Sequence, residues 1–149
     1  MNDQTPAPKS KAPWHLWLFG VLALVWSSVG AYDYVMTETR DASYMSAFTP
    51  EQLAYFYAFP MWIVASWALS VWGGVLGAVL LLLRSRLSVP VFGVSMAMIL
   101  VTSLHNVVLT DGFEVMGGVG GLIFTAVIFI IAVALFIYAR ILTRIGTLR

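Results

Sequence analysis

The stretch MWIVASWALSVWGGVLGAVLLLLRSRLSVPVFGVSMAMILVTSLHNVVLT, Met61 to Thr110, decides the fold. It consists of two uncharged apolar runs, about 61–83 and about 89–109, parted by Arg84-Ser85-Arg86. A helix covers the bilayer's hydrocarbon with roughly 20 residues at about 1.5 Å each, and each run is that long. Neither run alternates with the period of two that a barrel strand shows, and a closed barrel needs roughly eight strands. Two helices that cross the membrane and turn back on a pair of arginines fit the pattern. Working outward, a third run of the same kind lies at about 14–34 and a fourth at about 118–141.

The expected fold is therefore an all-α membrane protein: a four-transmembrane-helix bundle forming one domain over 1–149. It has a polar tail at 1–12 and an outer segment at 37–60. Composition agrees. Of 149 residues, 60% are apolar and 10% charged, and the mean hydropathy is +0.89. A water-soluble fold of this size leaves too many residues wet to hide so much apolar surface, so the lipid bilayer is a partner. The net charge of +1 and the lack of a basic stripe argue against nucleic acid. The chain has no cysteine, which excludes disulfides, thiol chemistry and thiolate metal sites.

Charge gives the direction. Lys9, Lys11, Arg84, Arg86, Arg140, Arg144 and Arg149 fall on one side of the four runs, and only Arg40 falls on the other, among Asp33, Glu38, Asp41, Glu51, Asp111 and Glu114. Basic residues gather on the cytoplasmic side of membrane proteins, so both termini are expected in the cytoplasm, most naturally at a bacterial cytoplasmic membrane. Trp14, Trp17 and Tyr138 mark the inner boundary, and Tyr34, Phe59, Trp62 and Phe113 the outer one. The two lysines, the apolar core and the small residues Ser28 and Gly30 also resemble a signal peptide with a cleavage site. The aromatic continuation GAYDYVM favours retention as a span.

Within the outer segment, FTPEQL is a complete helix start. Thr49 serves as N-cap, Pro50 as first helical residue, Glu51 as dipole partner and Gln52 as the far side of a capping box. Phe48 and Leu53 stand at the positions of a hydrophobic staple. The helix that follows, LAYFYAF, is aromatic and reaches Pro60, which is expected to kink it into the second span rather than end it. It reads as a short interfacial helix at the outer headgroups, or as an aromatic lid over a pocket in the bundle.

Small residues predict where helices touch. Ser66, Ser70, Gly73 or Gly74, and Gly77 form a stripe on span two that admits a close neighbour. Gly117 and Gly121 offer a GxxxG pair at the start of span four, or an extended turn ahead of it. The remainder of span four is almost featureless and is expected to face lipid or a second copy of the chain.

The polar groups are confined in depth. Trp26, Asp33, Trp62, Ser66, His105 and Asn106 all lie in the outer halves of their spans, whereas the inner halves offer Ser95 and little else. Polar groups at membrane depth are costly and seek partners inside the bundle. These six are the candidate ligand-binding residues, lining an outward-opening pocket suited to an amphipathic ligand such as a sugar, a quinone head or a lipid head. Asp33 and His105, an acid and a base at similar depth, are expected within reach of each other. No nucleophile or metal set accompanies them, so neither an enzyme nor a cofactor is expected. The inner half supplies no side chains to carry a polar solute, and no carboxylate lies deep enough to couple proton movement. Outward-facing recognition of a partner or ligand is the expected function, within a homo-oligomer or a larger membrane complex. Transport of a small solute by an oligomer is the alternative.

The strings WSSVGAYDYVMTETR, YMSAFTPEQLAYFYAFPMW and ASWALSVWGGVLGAVLLLLRSRLSVPVF resemble a group of small bacterial inner-membrane proteins often loosely labelled "sugar transporter". The resemblance runs from about Trp26 to Phe92 and is carried by GAxDYxMT, FTPEQ and LLLLRSR. Those proteins commonly have Asn after the first tryptophan of this region, where this chain has Ser27. The resemblance implies a four-helix inner-membrane protein and, by the group's label, sugar transport.

Overall fold

A computed structural model describes residues 11–149. Lys9 and most of the expected polar tail lie outside the described residues. Among those described, every regular element is helical. α1 (Trp14–Glu38), α4 (Met61–Leu82), α5 (Ser88–Leu104) and α7 (Val119–Arg144) are the four long apolar helices expected from sequence. α5 continues as one π-helical turn, His105–Leu109, which brings the third span to 22 residues. At about 1.5 Å per residue that is about 33 Å, enough to cross the hydrocarbon. Between α1 and α4 lie the short helices α2 (Ala42–Met45) and α3 (Pro50–Tyr57), and between the π turn and α7 lies α6 (Gly112–Val115). The protein is an integral membrane four-helix bundle. The end that holds the Arg84–Arg86 turn and residues 146–149 is called basal below, and the opposite end distal.

The spans pack in chain order. α4 packs against both α1 and α5, and α7 lies against α5. α1 and α7 approach at the basal end, where Nδ1 of His15 and the Tyr138 hydroxyl are 2.6 Å apart and the Phe19 and Tyr138 rings meet edge to face.

The small residues of α4 make the close contacts possible. A Cβ at Gly77 would stand 2.6 Å from the Phe92 ring of α5, and one at Gly73 would stand 3.2 Å from Ser95 Cβ. A Cβ at Gly74 would stand 2.9 Å from Ser27 Oγ of α1 and 3.8 Å from Ser95 Oγ of α5, so this glycine lies where the three helices meet. At the same level the Ser95 hydroxyl donates to the Ser70 carbonyl at 2.6 Å, joining α5 to α4. Dispersion and such bonds are what hold helices together when lipid is as apolar as the helices themselves. Gly117 differs from the stripe. It lies ahead of α7 at φ 95°, followed by Gly118 at φ 60°, so it turns the chain where an L side chain is strained and does not pack one helix on another. A Cβ at Gly121 would collide with the Met116 carbonyl, so this glycine accommodates the same turn.

α1 and α4 end on arginines in the left-handed region, Arg40 at φ 53° and Arg84 at φ 59°. Each turn is closed by backbone bonds, Asp41 N–H to the Met36 carbonyl and Ser85 N–H to the Leu80 carbonyl. Glycine would avoid a cost of about 1–2 kcal/mol there. The arginine side chains supply what glycine lacks. The Arg40 guanidinium lies 4.2 Å from the centre of the Tyr57 ring, and Arg84 Nε donates to the Thr147 carbonyl at 3.1 Å.

The basal end is thereby closed. Arg86 Nε donates to the Leu148 carbonyl, and main-chain bonds join Arg86 and Arg84 to Arg149. Leu148 is fully buried, in one cluster with Leu16, Ala78, Leu81, Ala139 and Leu142.

Pro60 corrects an expectation. α3 stops at Tyr57, and Pro60 is the N-cap of α4 with φ −65° and ψ 152°, so the helix breaks here and does not kink through. The ring of a proline disfavours helical geometry in the residue before it, and Phe59 marks the gap.

Overpacking at the α4–α5 contact is expected to show in thermal unfolding of the purified protein. Gly77→Ala should destabilise by about 1–3 kcal/mol. Gly120→Ala, where an added Cβ meets nothing within 4 Å, should be neutral or stabilising by up to about 1 kcal/mol. Equal effects of the two substitutions would contradict this packing.

Candidate functional site

The distal end is an aromatic cap assembled by three local devices. The capping box forms as the sequence implies: Gln52 N–H donates to Thr49 Oγ1 at 3.2 Å, and Thr49 N–H to Gln52 Oε1 at 3.1 Å. The same Gln52 side chain donates through Nε2 to the Val115 carbonyl at 3.2 Å, tying α3 to α6. Asp41 caps α2 by accepting from Tyr44 N–H at 2.9 Å. The break at Pro60 then separates α3 from α4 and leaves it packed on α6.

Two polar clusters result. In the first, the Tyr44 hydroxyl donates to Asp33 Oδ1 at 2.6 Å, and the Tyr32 ring packs edge-on to Tyr44 with centroids 5.7 Å apart. In the second, Asn106 Oδ1 accepts from the Tyr55 hydroxyl and from His105 Nδ1, each at 3.1 Å. With the amide oriented this way, Nδ1 carries the imidazole proton. Thr110 Oγ1 lies 2.7 Å from the Tyr55 hydroxyl and also reaches the His105 and Asn106 carbonyls. These carbonyls belong to the π turn, where the wider helical pitch leaves them in need of donors. Gly112 makes room, because a Cβ there would collide with the Tyr55 hydroxyl and the Asn106 carbonyl.

Aromatic rings fill the space between the clusters. From Tyr44 the contacts run through Phe48, Phe56 and Phe59 to His105, with successive centroids 5.4–6.2 Å apart. Trp62 meets the His105 ring at 5.3 Å and 89°, and Trp67 links Phe59 to Tyr34. Edge-to-face geometry of this kind is favoured by the ring quadrupole.

Of the six candidate residues, Trp62, His105 and Asn106 come together. His105 is buried, Asn106 half-buried and Trp62 exposed. Asp33 belongs to the neighbouring tyrosine cluster. It does not pair with His105, since each has found another partner. Trp26 is exposed and makes no ring contact with the cap, and Ser66 is buried with its hydroxyl returned to the Trp62 carbonyl of its own helix at 2.8 Å. Ser70 likewise bonds the Trp67 carbonyl. Tyr44, Tyr55, Thr110 and Gly112 were not singled out in the sequence. The aromatic run LAYFYAF was the available signal for Tyr55, and nothing local distinguished the others. Among the described residues no group of three His, Asp or Glu side chains stands together to hold a metal ion.

Environment shifts both cap phenols. The hydrogen bond to Asp33, then burial, then repulsion from its carboxylate push Tyr44 up to about 12. Burial pushes the Tyr55 phenol up, the hydrogen bond with Thr110 opposes this, and the nearby Asp111 carboxylate adds to it. No protein-family model, curated protein or solved structure matches the chain.

A raised phenol pKa means that the folded state holds the neutral form. The Tyr44–Asp33 contribution is therefore complete below the ordinary phenol value of 10.0 and lost as pH rises through about 12. In a spectroscopic tyrosinate titration, Tyr44→Phe should remove a step near pH 12, and Asp33→Asn should move that step down. An unchanged curve in Asp33→Asn would rule out the contact. Tyr55→Phe should lower stability by about 1 kcal/mol or more, because the Asn106 amide oxygen loses a buried donor.

Proposed function

We propose that this chain is a non-enzymatic protein of the bacterial cytoplasmic membrane, with both termini in the cytoplasm. Its distal cap faces outward and recognises a partner or a small amphipathic ligand. The observation that carries this reading is the asymmetry between the two ends. Polar side chains joined across elements (Asp33 with Tyr44, Tyr55 with Asn106 and Thr110) gather in the cap, beside the exposed edge of Trp62. The basal half has Leu16, Leu81, Leu142 and Leu148 at its centre; among the described residues the side-chain pair joined across elements there is His15 with Tyr138, and serines such as Ser95 and Ser70 lie towards mid-depth. A polar solute must be satisfied at every depth, which this interior does not do. An amphipathic ligand needs an apolar surface with a few fixed polar groups, which the cap supplies. The orientation rests on the basic residues of the basal end.

Transport by an oligomer is the second reading, in keeping with the label of the inner-membrane group that the sequence resembles. One observation favours it: α7, packed mainly on α5, is the least buried of the four long apolar helices, leaving a face on which a second copy could complete a path.

Three measurements test these readings. A reporter fused after Arg149 should be active only on the cytoplasmic side. Tryptophan fluorescence of the purified protein should change saturably with a monosaccharide, a short-chain quinone or glycerol phosphate. Asn106→Ala should weaken that response on the order of tenfold, as for one lost hydrogen bond of about 1.4 kcal/mol. Uptake of sugar into proteoliposomes that is abolished by Asp33→Asn would replace recognition with transport.

A further inference from the structure

The basal end holds a second feature that recognition at the cap does not use. Its arginines divide into two kinds. Arg84 and Arg86 donate through Nε to the carbonyls of Thr147 and Leu148 and so hold the 147–149 segment in place. Arg140 and Arg144 do not. Among the described residues neither makes a hydrogen bond or an ion pair with the protein, and both are exposed.

These two stand one helical turn apart on α7, about 6 Å along the axis, so their guanidinium groups share one face. With Phe136, Ile137 and Ile141 they line an open groove of about 180 Å³. The Arg140 guanidinium lies 5.7 Å from the centre of the Phe136 ring, a cation–π contact that holds it over the groove. Ile137 and Ile141 are each 50% exposed. The groove is thus apolar towards the middle of the helix and doubly cationic at the basal boundary.

We propose that this groove is a binding site for an anionic phospholipid, with the lipid phosphate between Arg140 and Arg144 and an acyl chain along Phe136, Ile137 and Ile141. The chemistry is complementary in both parts. Guanidinium groups offer paired N–H donors that match phosphate oxygens, and a basic site at a membrane boundary attracts anionic headgroups. The apolar strip continues in the direction that the acyl chain must take from the headgroup. A free phosphate ion would engage the arginines and leave the strip unused.

The test compares lipids retained by the full chain purified in mild detergent, read by native mass spectrometry. The unmodified protein should retain phosphatidylglycerol in preference to phosphatidylcholine. The double variant R140Q/R144Q should lose that retention on the order of tenfold. K11Q/R149Q, which removes the same charge elsewhere on the basal side, should keep it. Equal loss in both double variants would reduce the effect to general surface charge and overturn the site, as would undiminished retention in R140Q/R144Q. Displacement of the lipid by inorganic phosphate as readily as by short-chain phosphatidylglycerol would overturn the lipid assignment.

Discussion

The close approach of both α1 and α5 to α4 is the constraint from which the other arrangements follow. In lipid there is no hydrophobic force between helices, so contact depends on how closely backbones can come. Gly73 and Gly77 make room for Ser95 and Phe92 of α5, and Gly74 makes room for Ser27 of α1. The Ser95–Ser70 bond fixes the depth of α5 against α4. Asp33 in the distal part of α1 and His105 in the π turn that follows α5 do not pair with each other. Each takes a partner from nearby chain, Tyr44 and Asn106, and only rings from the cap bridge the distance.

That separation gives the cap its character. A helix continuing through Pro60 would have carried Tyr55 and Phe56 away from the bundle. Because the helix breaks there, α3 packs on α6, and its Tyr55 and Phe56 rings meet Phe59 beside His105. The cap is held by directional bonds at both edges, Gln52 to Val115 and Tyr55 to Asn106, and by edge-to-face rings between them. The opposite end closes differently. Arg84 and Arg86 draw the 147–149 segment beneath the bundle and drive Leu148 into the apolar cluster. One end therefore presents polar groups with an aromatic surround, and the other is sealed with leucine.

Much of this was written locally. Long uncharged runs define the spans because every backbone polar group in hydrocarbon must be satisfied within its own segment. The Thr49–Gln52 box is legible because its donors and acceptors lie three residues apart. The small residues at 70, 73 and 77 are legible as a contact stripe because helical periodicity puts them on neighbouring faces. Gly117 could be read as either packing or turn, since spacing alone does not report φ.

Which polar residues meet was decided by tertiary structure alone. Depth puts Asp33, Trp26, Trp62 and His105 in the outer halves of their spans, but depth says nothing about azimuth around the bundle. Trp26 turns outward, Trp62 meets His105, and Tyr44, Tyr55 and Thr110 become partners through contacts 4 to 55 residues distant in sequence. By itself the sequence Met61–Thr110 determined that two helices cross the membrane and turn on Arg84 and Arg86, because the solvation of a backbone in lipid is a local requirement. How those helices face their neighbours depends on side-chain volumes supplied by distant segments, and only the folded chain brings these together.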